Sequence, residues 1–449
     1  MVYNSSFILK FIQDMNTLKN ICLGLALATL CVGCKRDPVT FTSGKADFSK
    51  FIAIGDSQTA GVANDGLYND GISASFPSVM ATQMKALGGK DFAQPLFPAG
   101  QQNGSGFLQL NGYTNGLANI IRITTNTAIA GTVTVSGKTV TLYTKYTGAL
   151  NNLGVSGIKL ADLNNPKLGN TNGYFERLLS ASAPNNTTTY FDFISSKSYS
   201  FFSCWLGNND VLSFATSGGA SDTLTSHGTF NTLYTSLITK LTTAGQKGVV
   251  ATIPDVSAIP YFTTVTVDSV NRLVKSVSPT AQGIYISAAN TSSIGATYST
   301  RLATKNDLII LSFDVTLIGK QVATNAGTLP YGLTPLTPID NKYVLDKNEM
   351  ALVQSYVADY NSIIKSIAAS KGLAIFDAYS FFNNVKSGIT VNGVKVDASF
   401  LNGGLFSLDG VHLTPRGYAF LANQFDTAIN AKYGSALLAV DISKYAAVK

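Results

Sequence analysis

A serine hydroxyl attacks a carbonyl only where a neighbouring base accepts its proton, and histidine is the side chain that titrates nearest neutrality. The chain carries two histidines in 449 residues. His412 follows Asp409 by three positions in Ser407-Leu408-Asp409-Gly410-Val411-His412. That spacing can set a carboxylate beside the imidazole, fix its tautomer and stabilise the imidazolium that forms. His227 sits in a Ser/Thr/Gly stretch read as a loop, so His412 is the better base. The hydroxyl to pair with it is Ser57: Phe51 to Ile54 are four apolar residues running into Gly55-Asp56-Ser57, the pattern of a buried strand ending in a tight turn. Hydrolysis by serine also needs donors for an oxyanion. Asn209, after a second apolar run, offers an amide, while Ser57 and Gly157 offer backbone N–H groups. Taken singly, these are ordinary features: Gly-Asp-Ser and Gly-Asn-Asn-Asp are turn chemistry, and Asp-x-x-His is a common capping pattern.

The elements that would position these residues alternate in type. Apolar runs at Tyr199–Leu206, Gly248–Ile253 and Leu373–Phe376 read as buried strands. Between them lie helical stripes: Phe76–Leu87; Leu233, Leu237, Ile238 and Leu241; and Met350, Val353, Val357, Tyr360, Ile364 and Ile367, with Asp346 and Glu349 forming a capping box. A last helix opens at Thr414-Pro415 and buries Tyr418, Leu421, Phe425 and Ile429. Such alternation predicts a parallel sheet covered on both faces, with functional loops at the C-terminal ends of its strands. Asn64–Ser73 reads as loop, Asp91–Gly116 as a long surface excursion, and Thr132–Tyr143 and Ile389–Val396 as hairpins. Residues 263–343 read as a mixture of turns and short β-runs.

Gly55-Asp56-Ser57, a glycine block, Gly-x-Asn-Asp and Asp-x-x-His, in this order, resemble the SGNH hydrolases, also called the GDSL family of esterases and lipases. The resemblance runs from Phe48 to about Lys432 and continues through Thr414-Pro415-Arg416-Gly417-Tyr418. It implies an α/β fold, a flavodoxin-like three-layer sandwich around a central parallel sheet, with inserted β-rich elements. It also implies Ser57 as nucleophile, Asp409 and His412 as the rest of a triad, and an oxyanion hole of Ser57, Gly157 and Asn209. The glycine block usually lies closer to the serine, so Gly154 and Gly104 compete with Gly157. The implied reaction is hydrolysis of a carboxylic ester, of an acyl lipid or an acetylated glycan, with no cofactor. The rival reading is a non-catalytic surface lipoprotein that binds glycan or lipid on a hydrolase scaffold. The chain has no Gly-x-Ser-x-Gly elbow of the α/β-hydrolase kind, and no His/Cys/carboxylate cluster with metal-ligand spacing.

Composition narrows the setting. Charged residues make up 13% and the net charge is +7 without a concentrated Lys/Arg run, which argues against a nucleic-acid partner. Leu23–Val32, after Lys19, is apolar but too short to span a bilayer. It ends Leu30-Cys31-Val32-Gly33-Cys34, which resembles a bacterial lipoprotein signal despite the unusual Cys31. On that reading residues 1–33 are a signal peptide, Cys34 carries the lipid, and 34–45 form a tether. Residues 46–449 are then the hydrolase domain, with insertions at about 90–150 and 263–345. The membrane is a partner through the anchor, and Lys35 favours the outer membrane. Cys204 would be the one thiol left, buried and unreactive, so no intramolecular disulfide is expected. Trp205 reads as core and Asp255 as a loop cap, while Tyr261, Phe262 and Tyr331 are expected to shape the pocket.

Overall fold

The computed structural model describes residues 41–114 and 116–448. Four parallel strands form the central sheet in the order β1 (Phe51–Gly55), β2 (Phe201–Trp205), β3 (Lys247–Ala251), β4 (Ala374–Phe376). They read as mainly apolar runs because both sheet faces are covered; all five residues of β1 and of β2 are buried. Residues 151–155 run parallel to the free edge of β1. There the Ala53 N–H donates to Asn151 O at 2.9 Å, Leu153 N–H to Ala53 O at 2.8 Å and Val155 N–H to Gly55 O at 3.0 Å. With this segment counted, the spatial order is 2-1-3-4-5 in chain sequence, the flavodoxin-like arrangement, which is the expected α/β three-layer fold.

Helices α1 (Phe76–Lys85), α2 (Asn209–Thr216), α3 (His227–Leu241), α4 (Lys347–Ser370) and α5 (Pro415–Tyr433) cover the sheet. Alternate side chains of β2 point to opposite faces. Trp205 meets Phe76 of α1 and Phe425 of α5, which stack on each other at 4.7 Å. Across the sheet, Phe230 of α3 stacks on Tyr360 of α4 at 3.8 Å. The caps are the expected ones: Asp346 accepts the N–H groups of Asn348 and Glu349, and Thr414 accepts the Gly417 N–H at 3.1 Å.

Elsewhere the structure departs from the sequence reading. Asn69–Ala74, expected as loop, is a short helix. The surface excursion contains a hairpin, Phe107–Thr114 with Leu117–Ile123, ahead of the expected one at Ile129–Val135 and Lys138–Tyr143. Its first strand is largely exposed on both faces, so no alternation betrays it. Within the second insertion, Val267–Val277 is a helix that Thr266 caps and whose Val267, Val270 and Val274 are buried. Valine's branched Cβ favours strands, and that preference hid the helical spacing. Ala378–Val385 is a further helix, capped by Asp377. Thr42 to Lys45, assigned to a tether, are fixed to the end of α5: Lys45 N–H donates to Tyr433 O at 2.8 Å and Ala436 N–H to Thr42 O at 2.9 Å. The signal peptide and Cys34 lie outside the described residues.

Candidate active site

The turn after β1 is built by its glycine and its aspartate. A Cβ on Gly55 would fall 2.2 Å from Thr59 Oγ1 and 2.4 Å from Trp205 O, so only glycine lets the strand turn here. Asp56 accepts the Gln58 N–H at 3.0 Å on one oxygen and the Asn208 amide at 2.8 Å on the other. Burial raises its pKa to about 6, against the pull of those two donors. Ser57, 8% exposed, opens the turn Ser57–Ala60. As the first residue of a helical turn it has no intrahelical acceptor for its N–H, and none is found among the described residues.

Three glycines competed for the second oxyanion position, and their N–H groups differ. Gly104 donates to Gln101 O at 3.0 Å, and Gly154 to Asn152 Oδ1 at 3.0 Å. Gly154 is a packing glycine: a Cβ there would lie 2.3 Å from Ala60 N. Gly157, with φ +79° and only Asn172 Nδ2 at 3.9 Å near where a Cβ would be, has no acceptor for its N–H among the described residues. The Gly-Asn-Asn-Asp segment fastens this glycine's loop. The Asn209 amide donates to Ile158 O at 2.9 Å, and Asp210 accepts the N–H groups of Leu160 at 2.6 Å and Ala161 at 3.1 Å and the Thr225 hydroxyl at 2.6 Å. One amide hydrogen of Asn209 orients the side chain and the other remains free to donate.

Asp409 and His412 meet as the spacing predicts, with Oδ2 of Asp409 2.9 Å from Nδ1 of His412. The carboxylate also accepts the N–H groups of Val411 and His412, both at 2.8 Å, and of Asp65 at 2.6 Å. Burial would raise the Asp409 pKa, but the His412 charge, the hydrogen bond to it and the backbone donors hold it well below the carboxylate range. For His412, burial opposes the charged form, and the negative charge of Asp409, with Asp56 and Asp65 behind it, outweighs burial and raises the pKa above its ordinary value. Ser57 and His412 share no hydrogen bond among the described residues. Their loops are tied instead by the Gln58 amide, which donates to Val411 O at 3.2 Å.

Ser57 lines a pocket of about 520 Å³, its open mouth included. Asp56, Gln58, Asn208 and Asn209 supply its polar side, and the walls are apolar, led by Trp205, Ile253, Phe382 and Phe406. Tyr261, Phe262 and Tyr331 are not among its walls. Phe262 is buried in the core, and Tyr331 bonds Asp340. Tyr261 instead brackets the Asp409 loop: its N–H donates to Gly410 O at 3.0 Å and its carbonyl accepts the Leu311 N–H at 2.8 Å. The wall residues escaped the sequence reading although one signal was present. Trp205 ends β2 and Ile253 follows β3, which is where such folds place their sites. His227 is not in a loop; it opens α3 and faces Asp359 of α4 in a groove that shares no residue with the Ser57 pocket. Cys204 is fully buried, and burial pushes its thiol up to about 12. Asp255 caps the turn after β3 as expected.

Among solved structures, an α/β hydrolase enzyme from the metagenome of Lake Arreo, Spain, is similar at 12% identity and a TM-score of 0.35, over 86% of this chain and 96% of its own. A mutant acetyl-xylooligosaccharide esterase from Geobacillus stearmophilus is similar at 11% identity and a TM-score of 0.36, with the same coverage. No curated protein matches the chain significantly. The GDSL-like lipase/acylhydrolase family model matches residues 51–425, from the first residue of β1 well into α5, and the chain belongs to that family.

Proposed function

We propose that the protein is a serine hydrolase of carboxylic esters. The observation that carries the reading is the Asp409–His412 pair, anchored by three backbone N–H groups, across one loop contact from Ser57. Ser57 Oγ forms a bond to the ester carbonyl carbon as its proton passes to Nε2 of His412. Asp409 holds Nδ1–H, so Nε2 is the basic nitrogen. The oxyanion is met by the N–H groups of Ser57 and Gly157 and the free amide hydrogen of Asn209. Collapse breaks the bond to the alcohol, which leaves with the proton from His412. Water then repeats the sequence on the acyl-serine and releases the acid.

The apolar walls favour an acyl group over a sugar as the buried part of the substrate. Cys34, after an apolar run and Gly33, is the lipid-attachment site in this reading, which places the protein at the cell envelope, on the outer membrane. Ser57→Ala should lower kcat/KM for a short-chain nitrophenyl ester by about 10³-fold or more and abolish labelling by a fluorophosphonate probe, with an unchanged circular dichroism spectrum. Undiminished turnover would overturn the assignment. A wild-type protein that neither turns over the ester nor takes the probe would favour the non-catalytic binder.

A further inference from the structure

The Asp409 carboxylate is held from outside its own loop by a turn that the proposed chemistry leaves unused. Asn64 and Asp65 both occupy the left-handed region, with φ of 53° and 56°, a conformation that Asn and Asp tolerate better than other residues with side chains and that outside contacts hold here. Asn64 donates its N–H to Ser407 Oγ at 2.8 Å and accepts the Leu408 N–H at 3.0 Å. Asp65 donates its N–H at 2.6 Å to Oδ2 of Asp409, the oxygen that also meets His412. The inserted hairpin braces the far side of this turn. Leu108 N–H donates to Asn64 O at 2.7 Å, and Arg122, opposite Leu108 across the hairpin, pairs with the Asp65 carboxylate.

Resting on the Asp409–His412 reading above, we propose that the first insertion is a positioning device: Arg122 and Asp65 orient Asp409 and set the electrostatic surroundings of His412 without touching substrate. The charged groups that face His412 are Asp409 on its own loop, Asp56 on the nucleophile's turn and Asp65 on the left-handed turn. Tyr68 and Tyr418 face Asp409, and Arg122 joins the set through Asp65. Asp65 favours the imidazolium and Arg122 offsets Asp65, so the two act in opposite directions. Their side chains are 42% and 59% exposed for Arg122 and Asp65, which screens the effect and keeps it small.

The test is the acid limb of kcat/KM against pH for ester hydrolysis by the full chain. Asp65→Asn keeps the backbone N–H on Asp409 and removes the charge, and should move the limb down by about half a pH unit; Arg122→Gln should move it up by a similar amount. Both shifts should shrink near about 1 M salt, where the screening length falls to a few ångströms. Loss of activity with an unmoved limb, or two shifts of the same sign, overturns the proposal. His412→Ala is the control: undiminished activity there overturns the assignment of the base instead, so the two failures are distinct.

Discussion

The protein contains two histidine–aspartate pairs, and they differ in almost everything except composition. His412 and Asp409 stand 2.9 Å apart with side chains 17% and 10% exposed, whereas His227 and Asp359 stand 3.2 Å apart at 41% and 53%. Asp409 lies in a loop where three backbone N–H groups converge on its carboxylate. Asp359 lies inside α4, where the neighbouring N–H groups are spent on the helix itself. His227 packs its ring edge-on to Tyr356 at 4.1 Å, and the groove it lines lies apart from Ser57, Gly157 and Asn209. A carboxylate orients an imidazole when spare backbone donors first orient the carboxylate. Irregular backbone provides such donors, and a helix interior does not.

The largest effect that would sharpen this contrast is expected from His412→Ala, which should reduce kcat/KM by about 10³-fold or more while leaving Ser57 in place. Asp409→Asn should come next, at about 10² to 10⁴-fold, because the carboxylate orients but does not itself transfer the proton. It should also shift the pH profile. On the proposed mechanism catalysis requires neutral His412, so wild-type activity should be present above its raised pKa and lost as pH falls through it. Removing the Asp409 charge lowers that pKa and carries the acid limb to lower pH, as a kcat/KM titration would show. His227→Gln should change turnover less than about twofold and stability by no more than about 1 kcal/mol, the scale of an exposed ion pair. A loss at His227 comparable to that at His412, measured on the same ester, would erase the distinction between the pairs.

The sheet was legible in the sequence because strands buried on both faces must be mainly apolar, and β1 to β4 are, with Ser203 in β2 and Lys247 at the start of β3 as the polar residues. The candidate site was legible in part because its groups lie in short motifs: Asp409 meets His412 as the spacing predicts, and Asn209 bonds the loop that carries Gly157. What stayed hidden depends on contacts between distant segments. Asn and Asp are the side-chain-bearing residues that most readily adopt positive φ, but nothing local in Asn64-Asp65 says what holds both there; the partners lie in Ser407–Asp409 and Leu108. That the N–H groups of Gly154 and Gly104 are engaged, while that of Gly157 has no acceptor among the described residues, is a property of partners and not of spacing. The pocket walls come from stretches far apart in the chain, and Phe382 belongs to a helix that the sequence reading did not see.

Asp65 and Asp409 touch across 344 residues, and Gln58 and Val411 across 353. The strands of the sheet add in chain order, so the sheet can be laid down progressively as the polypeptide emerges, although its α5 face waits for the end of the chain. The site cannot form that way: until the segment around Asp409–His412 has been made and has docked, Ser57 sits on a turn with no base and the left-handed turn at Asn64-Asp65 lacks the partners that hold it. Such long-range closure is the slow part of folding. On the proposed mechanism the nucleophile is therefore among the first parts of the domain to be synthesised and among the last to become active, so a nascent or C-terminally truncated chain is expected to lack hydrolytic activity.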